Sequence, residues 1–296
     1  MKLRNSPFAI KSKFFDFLYP YLSDKIALKW RFKESLGYPL DLDNPKTYNE
    51  KLQWLKINNI HPEYAQLVDK IEAKKYVAEI IGEQYIIPTL AVYDRVEDVD
   101  WDSLPQQFVM KTNHGCGGMI ICKDKSKLDI EKAKQDLKKA LKTEYSRNNR
   151  EYPYRYVKRR LLVEQYMEDE TGELRDFKFF CFNGKPYCLF VATDRGKVGE
   201  ETKFDFYDMN WNFLPFTNGH PNSGKIMEPP ENFELMKELS SKLSVGFPHL
   251  RVDLYNINGK VYFGELTLFH WSGEKPFDPI EWDYKLGEMI DLSVNA

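Results

Sequence analysis

The sequence predicts an α+β protein built on antiparallel sheets, and three observations carry that expectation. Two β-rich stretches are each split by an Asn-Gly pair: "DFKFFCFNGKPYCLFVATD" at Asn183-Gly184 and "RVDLYNINGKVYFGELTL" at Asn258-Gly259. Asn-Gly between such runs is the pair a tight hairpin turn requires. "NPKTYNEKLQWLK" has Thr47 three residues before Glu50, the capping-box pattern of a helix start. Strand signals then follow one another as hairpins rather than alternating with helices, which argues against a parallel sheet.

The chain has 296 residues, enough for two or three packed subdomains, and a formal net charge of -2, which gives no reason to expect bulk nucleic-acid binding. Cys116, Cys122, Cys181 and Cys188 form no CxxC pair and read as free, buried thiols. The five histidines are scattered, unlike a zinc site. No secretory signal is read and no apolar run is long enough to span a bilayer, so a cytoplasmic protein is expected. The first 33 residues hold eight Lys/Arg against two Asp, interleaved with Phe and Tyr. That pattern suits either a helical cap with a solvated basic side or a face for membrane or partner contact.

In chain order, residues 1–60 read as a helical region and 63–82 as a second helix ending at Gly82. "YIIPTLAVY" is a short strand. "QFVMKTNHGCGGMIIC" reads strand, glycine-rich loop, strand, and 129–148 is a polar helix. "RLLVEQYME" is an apolar strand with a polar exit, "FDFYDMNWNF" a strand pair, 231–245 a helix and 281–291 a short C-terminal helix. The expected division is 1–60 helical region, 61–105 connecting segment, 106–167 small subdomain and 168–296 large subdomain.

Arg251, Asp253 and Tyr255 share one face of the last hairpin, and Glu265 and Thr267 share one face of the return strand. Loop parity decides whether the two sets meet. A two-residue Asn258-Gly259 loop places Asp253 and Glu265 on opposite faces. A three-residue loop sets Arg251 opposite Glu265 with Asp253 diagonal, so the acids act together only if the loop is odd. Two hard oxygen donors there suit Mg²⁺; an Arg251–Glu265 ion pair is the plainer alternative. Lys111 precedes Gly115, Gly117 and Gly118, whose backbone would let N–H groups approach a phosphate. "GHPNSGKI" has the spacing of a phosphate-binding loop, but Ile226 lacks the hydroxyl and Pro229-Pro230 follow. Asp176 and Lys178 share one strand face, which a solvated outer surface would also explain.

Together these elements resemble the ATP-grasp enzymes. More narrowly, "NPKTYNEKLQWLK", "DKIEAKKYV", "IGEQYIIPTL", "FVMKTNHGCGG" and "RVDLYNINGKVYFGELT" resemble the TupA-like ATP-grasp family of bacterial surface-polysaccharide gene clusters, over about residues 36–275. The resemblance implies two antiparallel β-rich subdomains clamping ATP. It implies that Lys70 and Lys111 hold the phosphates and that His114 to Gly118 form the flap over them. Glu164, Gln165, Tyr166 and Met167 become the adenine hinge, and Asp176 and Lys178 contact ribose and phosphate. Asp253 and Glu265 become Mg²⁺ ligands, with Arg251 stabilising charge at the reacting centre. Thr267 stands where many such enzymes carry asparagine, which weakens a second Mg²⁺ site. The implied reaction joins a carboxylate to an amine through an acyl phosphate, with ATP and Mg²⁺, on a uronic-acid-bearing precursor or polymer. Alternatives are a glycosyltransferase, for which "DVDWD" offers DxD-like spacing in a polar loop, an ATP-grasp phosphotransferase, and a non-catalytic ATP-binding protein.

Overall fold

The structure, a computed structural model, describes residues 19–115, 117–169, 174–195 and 199–293. Cys116 and most of the basic N-terminal stretch lie outside the described residues.

Helix α1 (Asp24–Leu36) precedes α2 (Tyr48–Asn58). The capping box of α2 is formed: Thr47 Oγ1 accepts from Glu50 N at 3.1 Å, and the Glu50 carboxylate accepts from Thr47 N at 3.0 Å. The single helix expected over 63–82 is broken. A one-turn helix, α3 (Ala65–Val68), stops at Asp69, whose carboxylate accepts from Ile71 N at 2.9 Å and caps α4 (Lys70–Ile81). A short acidic side chain that satisfies the free N–H groups of a new helix favours starting one over extending the last.

The small sheet contains β1 (Thr89–Tyr93), β2 (Phe108–Thr112), β3 (Met119–Cys122) and β4 (Leu161–Gln165) in the order β1-β4-β2-β3, antiparallel throughout. It therefore takes a strand from before residue 106, the expected start of the small subdomain. Helix α5 (Ile130–Leu141) packs Ala133 and Leu137 against Phe108, Met110 and Val163. The helix expected over 129–148 ends at Leu141, where its apolar face runs out, and a short α6 (Tyr145–Asn149) follows.

The large sheet contains β5 (Asp176–Phe182), β6 (Lys185–Thr193), β7 (Lys203–Asp208), β8 (Phe213–Leu214), β10 (Leu250–Ile257) and β11 (Lys260–Thr267), in the order β11-β10-β5-β6-β7-β8. A separate two-stranded ribbon pairs β9 (Thr217–Asn218) with β12 (Phe277–Asp278). Both Asn-Gly pairs turn their hairpins with positive φ at both residues, 50° and 78° at Asn183-Gly184, 49° and 75° at Asn258-Gly259.

Helix α7 (Phe233–Ser244) covers one face of this sheet, stacking Phe233 on Phe179. The opposite face carries Phe180 and Phe182, packed under Tyr48 of α2 with helix α8 (Glu281–Glu288) alongside. Farther along that same face the side chains turn polar: Lys178, Asp253, Arg251. Helix α4 lies against β11 and brings its first turn to this polar end.

Candidate active site

The polar end owes its geometry to a β-bulge. Near the turn, Ile257 pairs with Lys260 and Leu254 with Phe263, the register of an even, two-residue loop. That register alone would send Glu265 to the far face. Between Phe263 and Glu265 the ladder slips by one residue, and Asp253 comes directly opposite Glu265. The expectation that the acids require an odd loop is therefore corrected: the loop is even, and the extra residue is Gly264. Its Cα lies so close to the partner strand that an added Cβ would sit 3.0 Å from the Asp253 carbonyl and 3.1 Å from the Tyr255 ring. Arg251 consequently stands opposite Thr267 rather than Glu265.

Seven side chains then interlock. Arg251 donates Nε to Asp253 Oδ1 at 2.7 Å and Nη2 to Oδ2 at 2.8 Å, a bidentate pair. Its contact with Glu265 is a looser 3.8 Å. Lys178 bridges Asp253 and Asp176, lying 2.6 Å from the latter, and Arg195 also reaches Asp176 at 2.8 Å. A solvated outer face is thus excluded for Asp176 and Lys178: Asp176 is buried and Lys178 nearly so. Lys70, the first residue of α4, lies 3.3 Å from Glu265 and donates to the Gly115 carbonyl at 2.7 Å. Its backbone N–H donates to the Asn113 carbonyl at 2.8 Å, which docks α4 onto the glycine loop.

Electrostatics follow from burial opposed by pairing. Burial pushes the Asp253 carboxyl up, but Arg251 and Lys178 outweigh it and hold the group below the ordinary carboxylate range. Burial likewise opposes the Arg251 charge, and Asp253 more than restores it. Glu265 is held low against burial by Lys70.

The small sheet contributes a second cluster. Lys111 on β2 lies 2.5 Å from Glu164 on β4, and Lys74 on α4 reaches the other Glu164 oxygen at 2.8 Å. Lys74 also donates to Thr89 Oγ1 at 2.8 Å. Sequence reasoning misses Lys74, although it lies one helical turn after Lys70 on the same face. Tyr166 and Met167, expected at the adenine hinge, line a cleft of about 460 Å³ with Asn258 and Tyr262 of the large sheet. Gln165 ends β4 and is exposed. In the glycine loop, Gly115, Gly117 and Gly118 all have positive φ. A Cβ at Gly115 would fall 2.0 Å from the Tyr145 ring. His114 packs edge-on to Tyr145, with its Nε2 3.3 Å from the Thr143 carbonyl.

Residues 50–291 match the model described as TupA-like ATPgrasp. The chain belongs to the TupA-like ATP-grasp family. None of the curated proteins matches the chain. Among solved structures, D-alanine–D-alanine ligase from Bacillus anthracis complexed with ATP is 17% identical, with 89% of this chain and 72% of that one covered and a TM-score of 0.47. D-alanine–D-alanine ligase from Helicobacter pylori is 14% identical over 83% and 70%, TM-score 0.44. The ATP-grasp ligase PsnB complexed with minimal precursor is 9% identical over 70% and 54%, TM-score 0.41. For the TupA-like chain, membership brings the ATP-grasp fold, ATP as nucleotide and the ATP-dependent ligase class of chemistry.

Whether the residues fit a Mg²⁺ ion can be judged from their donors. Asp253 and Glu265 present hard carboxylate oxygens face to face, and both Thr267 Oγ1 and Asp176 Oδ1 are buried without a hydrogen-bond partner. Orphaned buried oxygens beside paired carboxylates fit a hard cation. Among the described residues no three acidic, Cys or His groups converge as they stand, and Arg251, Lys178 and Lys70 occupy the carboxylates. Asp253, Glu265 and Thr267 are the residues that would hold the ion.

Proposed function

We propose that this protein is an ATP-dependent carboxylate–amine ligase acting through an acyl phosphate. Its carboxylate substrate would be a uronic-acid-bearing precursor or polymer of the cell surface, and its acceptor an amino acid or amine. The observation that carries the reading is the convergence of Lys70, Lys178 and Arg251 on Asp253 and Glu265 at the polar end of the large sheet. The surface-polymer part rests on the family resemblance.

In this reading a substrate carboxylate oxygen attacks the γ-phosphorus of ATP. The bond from that phosphorus to the β–γ bridging oxygen breaks, giving ADP and an acyl phosphate. The amine nitrogen then attacks the acyl carbon, phosphate leaves with the bonding pair, and the nitrogen sheds its proton. Mg²⁺ at Asp253 and Glu265 supplies Lewis-acid neutralisation of phosphate charge when bound. Lys70 and Lys111 hold the phosphates, Tyr166 and Met167 flank the adenine, and Arg251 offers its guanidinium to the oxyanion that develops at the transferring group. Asp176 and Lys178 would take the ribose and phosphate contacts.

No helix among the described residues is long and apolar enough to cross a membrane. Contact with membrane-bound polysaccharide machinery through the basic N-terminal region belongs to the same proposal. A thermal-shift titration tests the nucleotide part. Mg-ATP is expected to raise the melting temperature, as any ligand of the folded state must, while UDP- and CDP-sugars leave it unchanged. A shift with a sugar nucleotide alone would favour a glycosyltransferase. Phosphate release that needs both acid and amine identifies the ligase; ADP with a stable phosphorylated product identifies a phosphotransferase.

A further inference from the structure

Arg251 is held from two sides, and only one of them is Asp253. On the other side its Nη1 lies 2.7 Å from His270 Nδ1, and His270 Nε2 lies 2.8 Å from Asn218 Oδ1. Asn218 Nδ2 donates in turn to the carbonyls of Lys275 and Pro276, both at 3.1 Å. Arg251, His270 and Asn218 are all buried. A guanidinium can only donate, so His270 Nδ1 must accept and Nε2 must carry the proton toward Asn218. The sense of each hydrogen bond is thereby fixed, from the β9–β12 ribbon to β10 of the large sheet.

From this geometry we infer that His270 and Asn218 are positioning residues for Arg251. This rests on the proposed role of Arg251 at the reacting oxyanion. Of five guanidinium N–H groups, two go to Asp253 and one to His270. One remains on each terminal nitrogen, for Glu265 and for an incoming anion. With Asp253 alone the planar group could tilt about its bidentate edge; His270 removes that freedom and sets where the two remaining donors aim. Neither residue lies on β10 or β11. His270 follows β11 in a turn whose next residues, Trp271, Ser272 and Gly273, all have positive φ. That turn is strapped to α2 by Gln53, at 2.8 Å to the Ser272 carbonyl, and by Lys56, at 2.8 Å to the same oxygen. Three consecutive left-handed residues held by buried donors indicate backbone kept in place for a side chain it presents.

The test compares a ground-state with a transition-state mimic, so it needs no knowledge of the acceptor. Binding of Mg-AMPPNP and of Mg-ADP with aluminium fluoride is measured by calorimetry for the wild type, Arg251→Ala, His270→Phe, His270→Gln and Asn218→Leu. Phenylalanine keeps a ring and loses both nitrogens, whereas glutamine keeps an acceptor and a donor. The wild type is expected to bind the fluoride complex more tightly than Mg-ADP alone. His270→Phe should lose that gain by about tenfold to a hundredfold while binding Mg-AMPPNP as before. His270→Gln should recover part of it. Asn218→Leu should lose less, and the His270→Phe/Asn218→Leu double variant no more than His270→Phe alone, because both act through one chain of hydrogen bonds. If His270→Phe keeps the gain while Arg251→Ala loses it, positioning is overturned and the Arg251 role stands. If Arg251→Ala also keeps it, or the wild type shows none, the Arg251 role falls and the inference with it. Equal losses for both nucleotide complexes in His270→Phe would mark a merely structural residue and overturn positioning too.

Discussion

Asp253 and Glu265 face each other across β10 and β11 because Gly264 is squeezed out of the ladder between them. A cross-strand pair of acids is thus set by a residue with no side chain. Gly264→Val should cost about 1–3 kcal/mol, since the new carbons meet the Asp253 carbonyl and the Tyr255 ring. It should also weaken the Mg-ATP thermal shift. Deleting Gly264 brings Glu265 opposite Asp253 in the regular register, so the deletion is expected to keep more of that shift than the valine variant does. Urea unfolding and the nucleotide titration, run side by side, check both.

Thr267 follows the bulge on β11 and holds a buried Oγ1 with no hydrogen-bond partner. Thr267→Val removes that oxygen at nearly constant shape. The unliganded protein should keep its stability or gain slightly, because an unsatisfied buried hydroxyl is lost. The Mg²⁺ concentration needed for half the ATP-induced shift should rise. An unchanged Mg²⁺ requirement would remove Thr267 from the metal site.

Glu164 is buried between Lys74 and Lys111. Glu164→Gln leaves two ammonium groups without their shared carboxylate and should cost about 3–5 kcal/mol. Lys74→Met leaves the Lys111 pair in place and should cost less. Burial pushes the Glu164 carboxyl up, but the two lysines outweigh it and its pKa is lowered. Its contribution is therefore complete above the ordinary carboxylate range and lost as pH falls through the lowered value. Urea midpoints measured for wild type and Glu164→Gln across acidic pH should converge at the low end.

Asp283 on α8 shows the opposite sign. Burial raises its pKa from 3.8 to about 6, although Asn49 N and Nδ2 donate to it at 3.0 and 2.9 Å. Between those values the folded state binds a proton that the unfolded chain does not. Stability contributed by this group is present below the unfolded value and is lost as pH rises toward 6 and beyond. Asp283→Asn should flatten that part of the pH–stability curve. A slope identical to the wild type would show that Asp283 does not titrate there.

The hairpins are legible in the sequence because Asn-Gly fixes turn chemistry locally, and both turns have the backbone that pair favours. The meeting of Asp253 with Glu265 is legible in outcome but not in cause. A bulge depends on how closely Gly264 approaches the partner strand, and sequence spacing does not carry that distance. Asp176 and Lys178 can read as a solvated face because nothing local reveals that β10 pairs beside β5. His270 and Asn218 escape sequence reasoning: they meet only after the β9–β12 ribbon closes, and neither belongs to a local pattern. Lys74 does carry a signal, its spacing of one turn from Lys70.

The large sheet begins at β5, yet Tyr48, Leu52 and Leu55 of α2 are part of the core it shares. During synthesis α2 leaves the ribosome long before the strands that cover it. The small sheet, by contrast, completes itself with β4, so it is expected to fold first while the apolar face of α2 waits. The nascent chain should therefore stay sensitive to protease and to aggregation until β11 and α8 emerge, and C-terminal truncations should loosen α2, far along the chain from the cut.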